Sequence, residues 1–166
     1  GRAAGSPVYV DAPLSYGQRA LWFLQQLNPE SAAYNIARAV HVRGALDVRI
    51  LEHAFQGLMD RHALLRATFA APLGEPVAHI HTHMRVGFQE EDASSWTNDR
   101  LYERLAEELY RPFDLARGPL MRVSCFTYSP DDHVVMLAVH HTVADLWSVA
   151  VLLHELDQLY LAEKNN

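Results

Sequence analysis

Residues Asp132-His133-Val134-Val135-Met136-Leu137-Ala138-Val139 form an apolar run rich in β-branched side chains, the pattern of a buried strand. The run ends in the adjacent pair His140 and His141, and Asp145 follows four residues later. From there to about Ala162, apolar side chains recur at helical spacing: Leu146, Val149, Leu152, Leu153, Leu156, Leu159 and Tyr160. The pair therefore stands where a strand ends and a helix is about to begin. Imidazole is the side chain best suited to moving protons near neutral pH, and a strand end holds it rigidly. If Val139 faces the core, alternation turns His140 away from it and brings His141 back. On that reading His140 shapes the turn. Asp145 is placed to fix the turn as a buried carboxylate paired with a cation.

The remaining elements follow from the same periodicities. Leu14 to Leu27 reads as a helix, with Ser15 as its cap, Gln18 completing a capping box and Asn28-Pro29 stopping it. Tyr34 to Val42 reads as a strand. Asp47 caps a helix to about Arg61 whose apolar stripe is Ile50, Leu51, Ala54, Phe55 and Leu58. Leu64 to Ala70 and Pro76 to Val86 read as strands joined by a turn at Pro72-Leu73-Gly74-Glu75. Ser95 or Thr97 starts a helix running to about Tyr110. Its charged residues, Asp99, Arg100, Glu103, Arg104, Glu107 and Glu108, read as a solvated face laced by ion pairs. Leu120 to Tyr128 and Asp132 to Val139 form a hairpin around Ser129-Pro130-Asp131. The order predicts an α+β class, with a mixed, largely antiparallel sheet and helices packed on it.

Composition removes several alternatives. The chain has 166 residues, 49% of them hydrophobic, enough for one real core. Its net charge of −6 and the lack of a basic track argue against a nucleic-acid partner. No stretch is apolar for long enough to span a membrane. The single cysteine, Cys125, excludes an internal disulfide, fits a reducing cytoplasm and reads as a buried structural thiol. Gly1 to Ser6 reads as a flexible leader. His79, His81 and His83 would share one face of a strand, yet neighbours on that face lie roughly 7 Å apart, awkward for three bonds to one metal. They read as a solvent-facing edge strand, and no metal is expected.

Four segments, in order, carry a family resemblance. Leu14-Ser15-Tyr16-Gly17-Gln18-Arg19-Ala20-Leu21-Trp22-Phe23 resembles the opening motif of the condensation domains of nonribosomal peptide synthetases. Arg61-His62-Ala63-Leu64-Leu65-Arg66-Ala67-Thr68-Phe69 resembles their second motif, and Arg111 to Leu120 the stretch before the third. His140 to Ser148 resembles the third, His-His-x-x-x-Asp-Gly-x-Ser. The resemblance implies one lobe of a two-lobed fold of the chloramphenicol-acetyltransferase type: residues 7–166 as the N-terminal lobe, with the C-terminal lobe absent.

The resemblance also implies an activity, amide formation between an acyl donor and an aminoacyl acceptor. Both are carried as thioesters on phosphopantetheine arms of donor and acceptor carrier proteins, and no cofactor is bound directly. It places His141 in the tunnel between lobes as general base or positioning group, with His140, Asp145 and Arg66 shaping the site. Asp145 and Arg66 would form an ion pair. Leu146, Trp147 and Ser148 would line the acceptor side. Leu146 stands where the family has Gly, and Ala63 and Ala67 replace a typical Glu and Thr. Heterocyclising relatives carry a doubled-Asp pattern that is absent here, so cyclisation is not expected. The third motif is shared with acyltransferases that use a free amine or hydroxyl, so that reading stays open, as does a silent module that only docks carriers. The isolated chain is expected to be inactive.

Overall fold

The computed structural model describes residues 9–165; the expected leader at 1–6 lies outside them. In chain order the elements are β1 (Tyr9–Pro13), α1 (Tyr16–Leu27), β2 (Asn35–Arg43), α2 (Val48–Arg61), a 3-10 turn (Ala63–Arg66), β3 (Ala67–Ala70), β4 (Val77–His81), β5 (Gly87–Asp92), α3 (Asn98–Tyr110), β6 (Met121–Ser129), β7 (Asp132–His140) and α4 (Leu146–Lys164). The α+β class expected from the sequence is the class observed.

The strands divide into two sheets rather than one. β2-β7-β6-β5 forms a four-stranded sheet, antiparallel except for the parallel β5–β6 pair, and β1-β4-β3 forms an antiparallel three-stranded one. The division arises because the expected strand at Pro76 to Val86 stops at His81, and the chain resumes at Gly87 beside β6. A parallel neighbour needs a crossover, which α3 supplies between β5 and β6. β7 is the spine of the larger sheet, with β2 on one side from Asn35↔His140 to Arg43↔Asp132 and β6 on the other. β4 is the central strand of the small sheet, which corrects the edge-strand reading for His79 and His81, and the strand ends before His83.

Local chemistry sets the helix starts. Ser15 Oγ accepts from Gln18 N at 3.1 Å while Gln18 Oε1 accepts from Ser15 N at 3.0 Å, the reciprocal capping box. Asp47 Oδ1 accepts from Arg49 N and Ile50 N, and Thr97, not Ser95, caps α3. The apolar stripe of α2 (Leu51, Phe55, Leu58, Met59) packs with Leu120, Met121 and Val123 of β6, Leu137 and Val139 of β7, and Val149 and Leu152 of α4 in one core. Cys125 is fully buried on β6, and burial pushes its thiol pKa up. No helix among the described residues is long and apolar enough to cross a membrane.

Two helices bury a polar side chain and no other: Gln25 on α1 and Glu108 on α3. The second corrects the reading of α3 as a solvated charged face. Glu108 is 4% exposed and accepts from Arg104 at 3.0 Å, Arg111 at 2.7 Å and Gln89 at 3.0 Å. Arg104, itself nearly buried, also binds Glu91 of β5. Burial pushes the Glu108 carboxyl up, but the bond from Arg104 and the charge of Arg111 outweigh it, and the group titrates below its usual range. Beneath it, Arg122 of β6 donates to the Glu108 and Arg111 carbonyls, and its guanidinium lies 3.9 Å above the Phe113 ring. Burial, then the neighbouring Arg111, lowers Arg122 to about 10. The sequence shows charges at i and i+4; only the docking of α3 onto β5 and β6 decides which of them are enclosed.

Removing one partner from such an enclosed set strands the others. Glu108→Ala is expected to destabilise the chain by about 3–5 kcal/mol in urea unfolding, against a near-neutral effect for Glu103→Ala on the exposed side of the same helix.

Candidate active site

β7 delivers the histidine pair. The His140 N–H donates to Leu120 O at 3.0 Å, on the β6 side, and the His141 N–H donates to Tyr34 O at 2.9 Å, on the β2 side. The strand end is thus held from both flanks, and a turn closed by Val143 N to His140 O at 3.1 Å leads to α4.

The two imidazoles have opposite surroundings. His140 is 0% exposed, whereas His141 is exposed. This reverses the expectation that His140 turns away from the core. Alternation assumes one buried face, but β7 is covered on both: Val134, Met136, Leu137, Ala138 and Val139 are all buried. His140 Nδ1 lies 2.9 Å from Thr142 Oγ1 and accepts the Thr142 N–H at 3.2 Å, while its Nε2 faces Gln25 Oε1 at 3.4 Å. Its ring meets Phe113 and Tyr34 edgewise, with centroids 6.1 and 6.5 Å away. Burial, then the neighbouring His141, lowers its pKa to about 4, so it is neutral at pH 7.

Asp145 does not pair with Arg66, nor is it buried. It caps α4: its Oδ1 accepts from both Ser148 N and Ser148 Oγ at 2.7 Å. These bonds, the backbone one first, hold its carboxyl below the usual range, and His141 adds a smaller pull in the same direction. Arg66 instead donates to three backbone carbonyls, Met59 at 2.6 Å, Asp60 at 2.7 Å and His81 at 2.9 Å. It ties the end of α2 to β4. The helix-terminal carbonyls lie within reach of a guanidinium on the next turn, and Asp145 is drawn to the unsatisfied N–H groups at the start of α4. Leu146 and Trp147 are 58% and 78% exposed. A cavity of about 250 Å³ beside them is lined by Ser148, Trp147, Val143, Val151, Leu64 and His62 among others, with His62 bound to Glu155 at 2.6 Å.

Sequence reasoning passed over the residues that hold the turn. Gln18 Nε2 donates to Thr142 O at 3.0 Å, and Asn35 Nδ2 donates to the Leu109 and Arg111 carbonyls. Gln18 and Gln25 lie seven residues apart, on one face of α1. Two polar residues spaced as an inward stripe were the available signal. The histidines at and just beyond β4 turn to separate partners, His79 to Asp11 at 2.7 Å, His81 to Thr68 at 2.8 Å and, past the strand end, His83 to Asp60 at 3.6 Å.

Comparison with known proteins gives a consistent result. The family model described as Condensation domain matches residues 9–166. A protein of the linear gramicidin synthase of Brevibacillus parabrevis is 42% identical over 154 residues, 90% of this chain and 3% of that protein. The isonitrile lipopeptide synthase of Mycobacterium tuberculosis is 39% identical over 160 residues, 95% of this chain and 6% of that protein. The chain therefore spans only a few per cent of the length of these relatives. Among solved structures, the starter condensation domain of rhizomide synthetase superposes with a TM-score of 0.84 at 20% identity, covering 94% of this chain and 40% of that one. A four-domain nonribosomal peptide synthetase bound to AMP and glycine gives 0.86 at 24% identity, covering 96% and 12%. These likenesses establish a shared fold.

Two outcomes follow from the geometry. His140 is depressed in the folded chain, so the unfolded chain takes up its proton first, near pH 6.5, and the folded chain only near pH 4. Its contribution is intact above about pH 6.5 and declines as pH falls through that window, by about 2 kcal/mol at pH 5. Urea unfolding at pH 7 and pH 5 should show this slope, and His140→Gln should remove that part of it. Arg66→Ala should cost about 1–3 kcal/mol through the lost carbonyl bonds. In the double variant with Asp145→Ala the two losses should simply add; strong coupling would restore the ion pair.

Proposed function

The chain belongs to the condensation domain family, and from that premise we propose that it is the N-terminal lobe of a two-lobed domain that forms amide bonds in nonribosomal peptide synthesis. The donor is an acyl thioester and the acceptor an aminoacyl thioester, each on the phosphopantetheine arm of its own carrier protein. The observation that carries this reading is the contrast within the histidine pair. His141 presents an open imidazole from a strand end tied to both neighbouring strands, while its neighbour is buried and neutral.

In the reaction the acceptor's α-nitrogen attacks the thioester carbonyl. The C–N bond forms, the C–S bond breaks, the nitrogen loses a proton and the departing pantetheine sulfur gains one. His141 accepts the nitrogen's proton or anchors the amine as it attacks; general-base help of this kind is worth about 10²- to 10⁴-fold. Alignment of two tethered substrates contributes on a similar or larger scale. His140 sets the direction of the turn, Asp145 fixes the first turn of α4, and Arg66 secures the end of α2 against β4. Exposed Leu146 and Trp147, with Ser148, would face the acceptor side once the second lobe closes the tunnel. The 166-residue chain alone, lacking the opposite wall, would be inactive. A cytoplasmic location accords with its lone thiol.

Acyl transfer by the two-lobed domain carrying this sequence, followed by intact mass spectrometry, tests the reading. An acyl-loaded carrier is offered carrier-bound and free acceptors. Product on the carrier-bound amine is expected, falling at least 10²-fold in His141→Ala. Transfer only to a free amine or hydroxyl would move the chain to the stand-alone acyltransferases. No transfer at all would leave a carrier-docking module.

A further inference from the structure

The one buried side chain of α1 is Gln25, and its amide is oriented by its surroundings. Gln25 Nε2 donates to Pro29 O at 2.9 Å and Ser31 O at 3.2 Å, so the oxygen, Oε1, is the atom left to face His140 Nε2. Across the ring, the Thr142 N–H points at His140 Nδ1 at 3.2 Å. A backbone N–H can only donate, so Nδ1 accepts and carries no proton. The ring's proton then belongs on Nε2, opposite the Gln25 oxygen, an assignment made from the hydrogen-bond network. The Thr142 hydroxyl, 2.9 Å from Nδ1, is placed to donate to the same nitrogen.

We propose that Gln25 is a positioning residue: with Thr142 it locks His140 as the neutral Nε2–H tautomer, so that no second cation stands beside His141. The tautomer stands on geometry within this chain, and its consequence for catalysis rests on the reading of His141 above. A second proton on His140 would have to sit on Nδ1, donor against donor with the Thr142 N–H. Burial and the adjacent His141 oppose it as well. The groups facing the ring are His141, the Tyr34 ring, and the Phe113 ring with the Arg122 guanidinium behind it; no carboxylate is among them to favour a second proton. A cation at His140 would repel a proton from the adjacent imidazole and weaken it as a base. Gln25 therefore acts through His140. Gln18, two turns earlier, steadies the same turn through the Thr142 carbonyl.

Nitrogen-15 spectra of the histidine rings in the 166-residue chain decide the matter without any activity assay. In the wild type, His140 should show a protonated Nε2 and an unprotonated Nδ1, unchanged from pH 8 to about pH 5. Gln25→Met, which keeps the side-chain length but loses the amide, leaves the Nε2–H without its acceptor and should shift the Nε2 signal, while the Thr142 N–H still keeps the proton off Nδ1. Gln25→Glu places a carboxylate opposite Nε2. It should keep the Nε2–H form and raise the ring's proton affinity at least tenfold. An Nδ1–H wild-type ring, or one that titrates above pH 6, would overturn the lock, and so would variants whose ring signals match the wild type. The wild-type spectrum suffices even if a variant fails to fold. A failed acyl-transfer assay would leave these spectra untouched, so the two readings fall separately.

Discussion

Enclosure of β7 on both faces and both edges is the constraint on which the rest depends. With β2 and β6 as hydrogen-bonded neighbours, the side chains of β7 from Met136 to His140 are all buried, on both faces of the strand. A polar group on such a strand must find partners within the protein. His140 finds them in Thr142 and Gln25, and the Gln25 contact joins α1 to the strand end. One residue later the enclosure ends and His141 emerges. The step from fully buried to exposed across a single peptide bond gives two identical side chains different chemistry.

The same logic governs the charged groups. Arg66 and Asp145 are each satisfied locally, by helix-end carbonyls and helix-start N–H groups, rather than by each other. Each secures a different junction, α2 to β4 and the turn to α4. A site assembled this way depends on correct helix termini more than on a central ion pair. Glu108 and Arg122 do comparable work at the far side of His140, where Phe113 relays the packing from guanidinium to imidazole. A continuous path of contacts thus runs from α3 through Arg122, Phe113 and His140 to α1.

Much of this was legible in the residues themselves. The capping box at Ser15 and Gln18, the Asp47 cap, the apolar stripe of α2 and the β6–β7 hairpin are local patterns. Their causes lie within a few residues, and they appear as expected. The position of the histidine pair at a strand-to-helix turn was equally plain, as was the order of motifs that resembles condensation domains. The sequence determined the four helices, most of the strands and the family, but it missed β1 and β5 and read the 3-10 turn before β3 as strand.

Tertiary structure alone decided three things. It divided the strands into two sheets, because β5 pairs in parallel with a strand far along the chain. It enclosed Glu108 and Arg104 on a helix face that composition marks as solvated. And it buried His140 while exposing His141, contrary to simple alternation. In each case the deciding quantity is which surfaces lose water when distant segments meet. Periodicity records which side chains share a face, but burial depends on what arrives to cover that face.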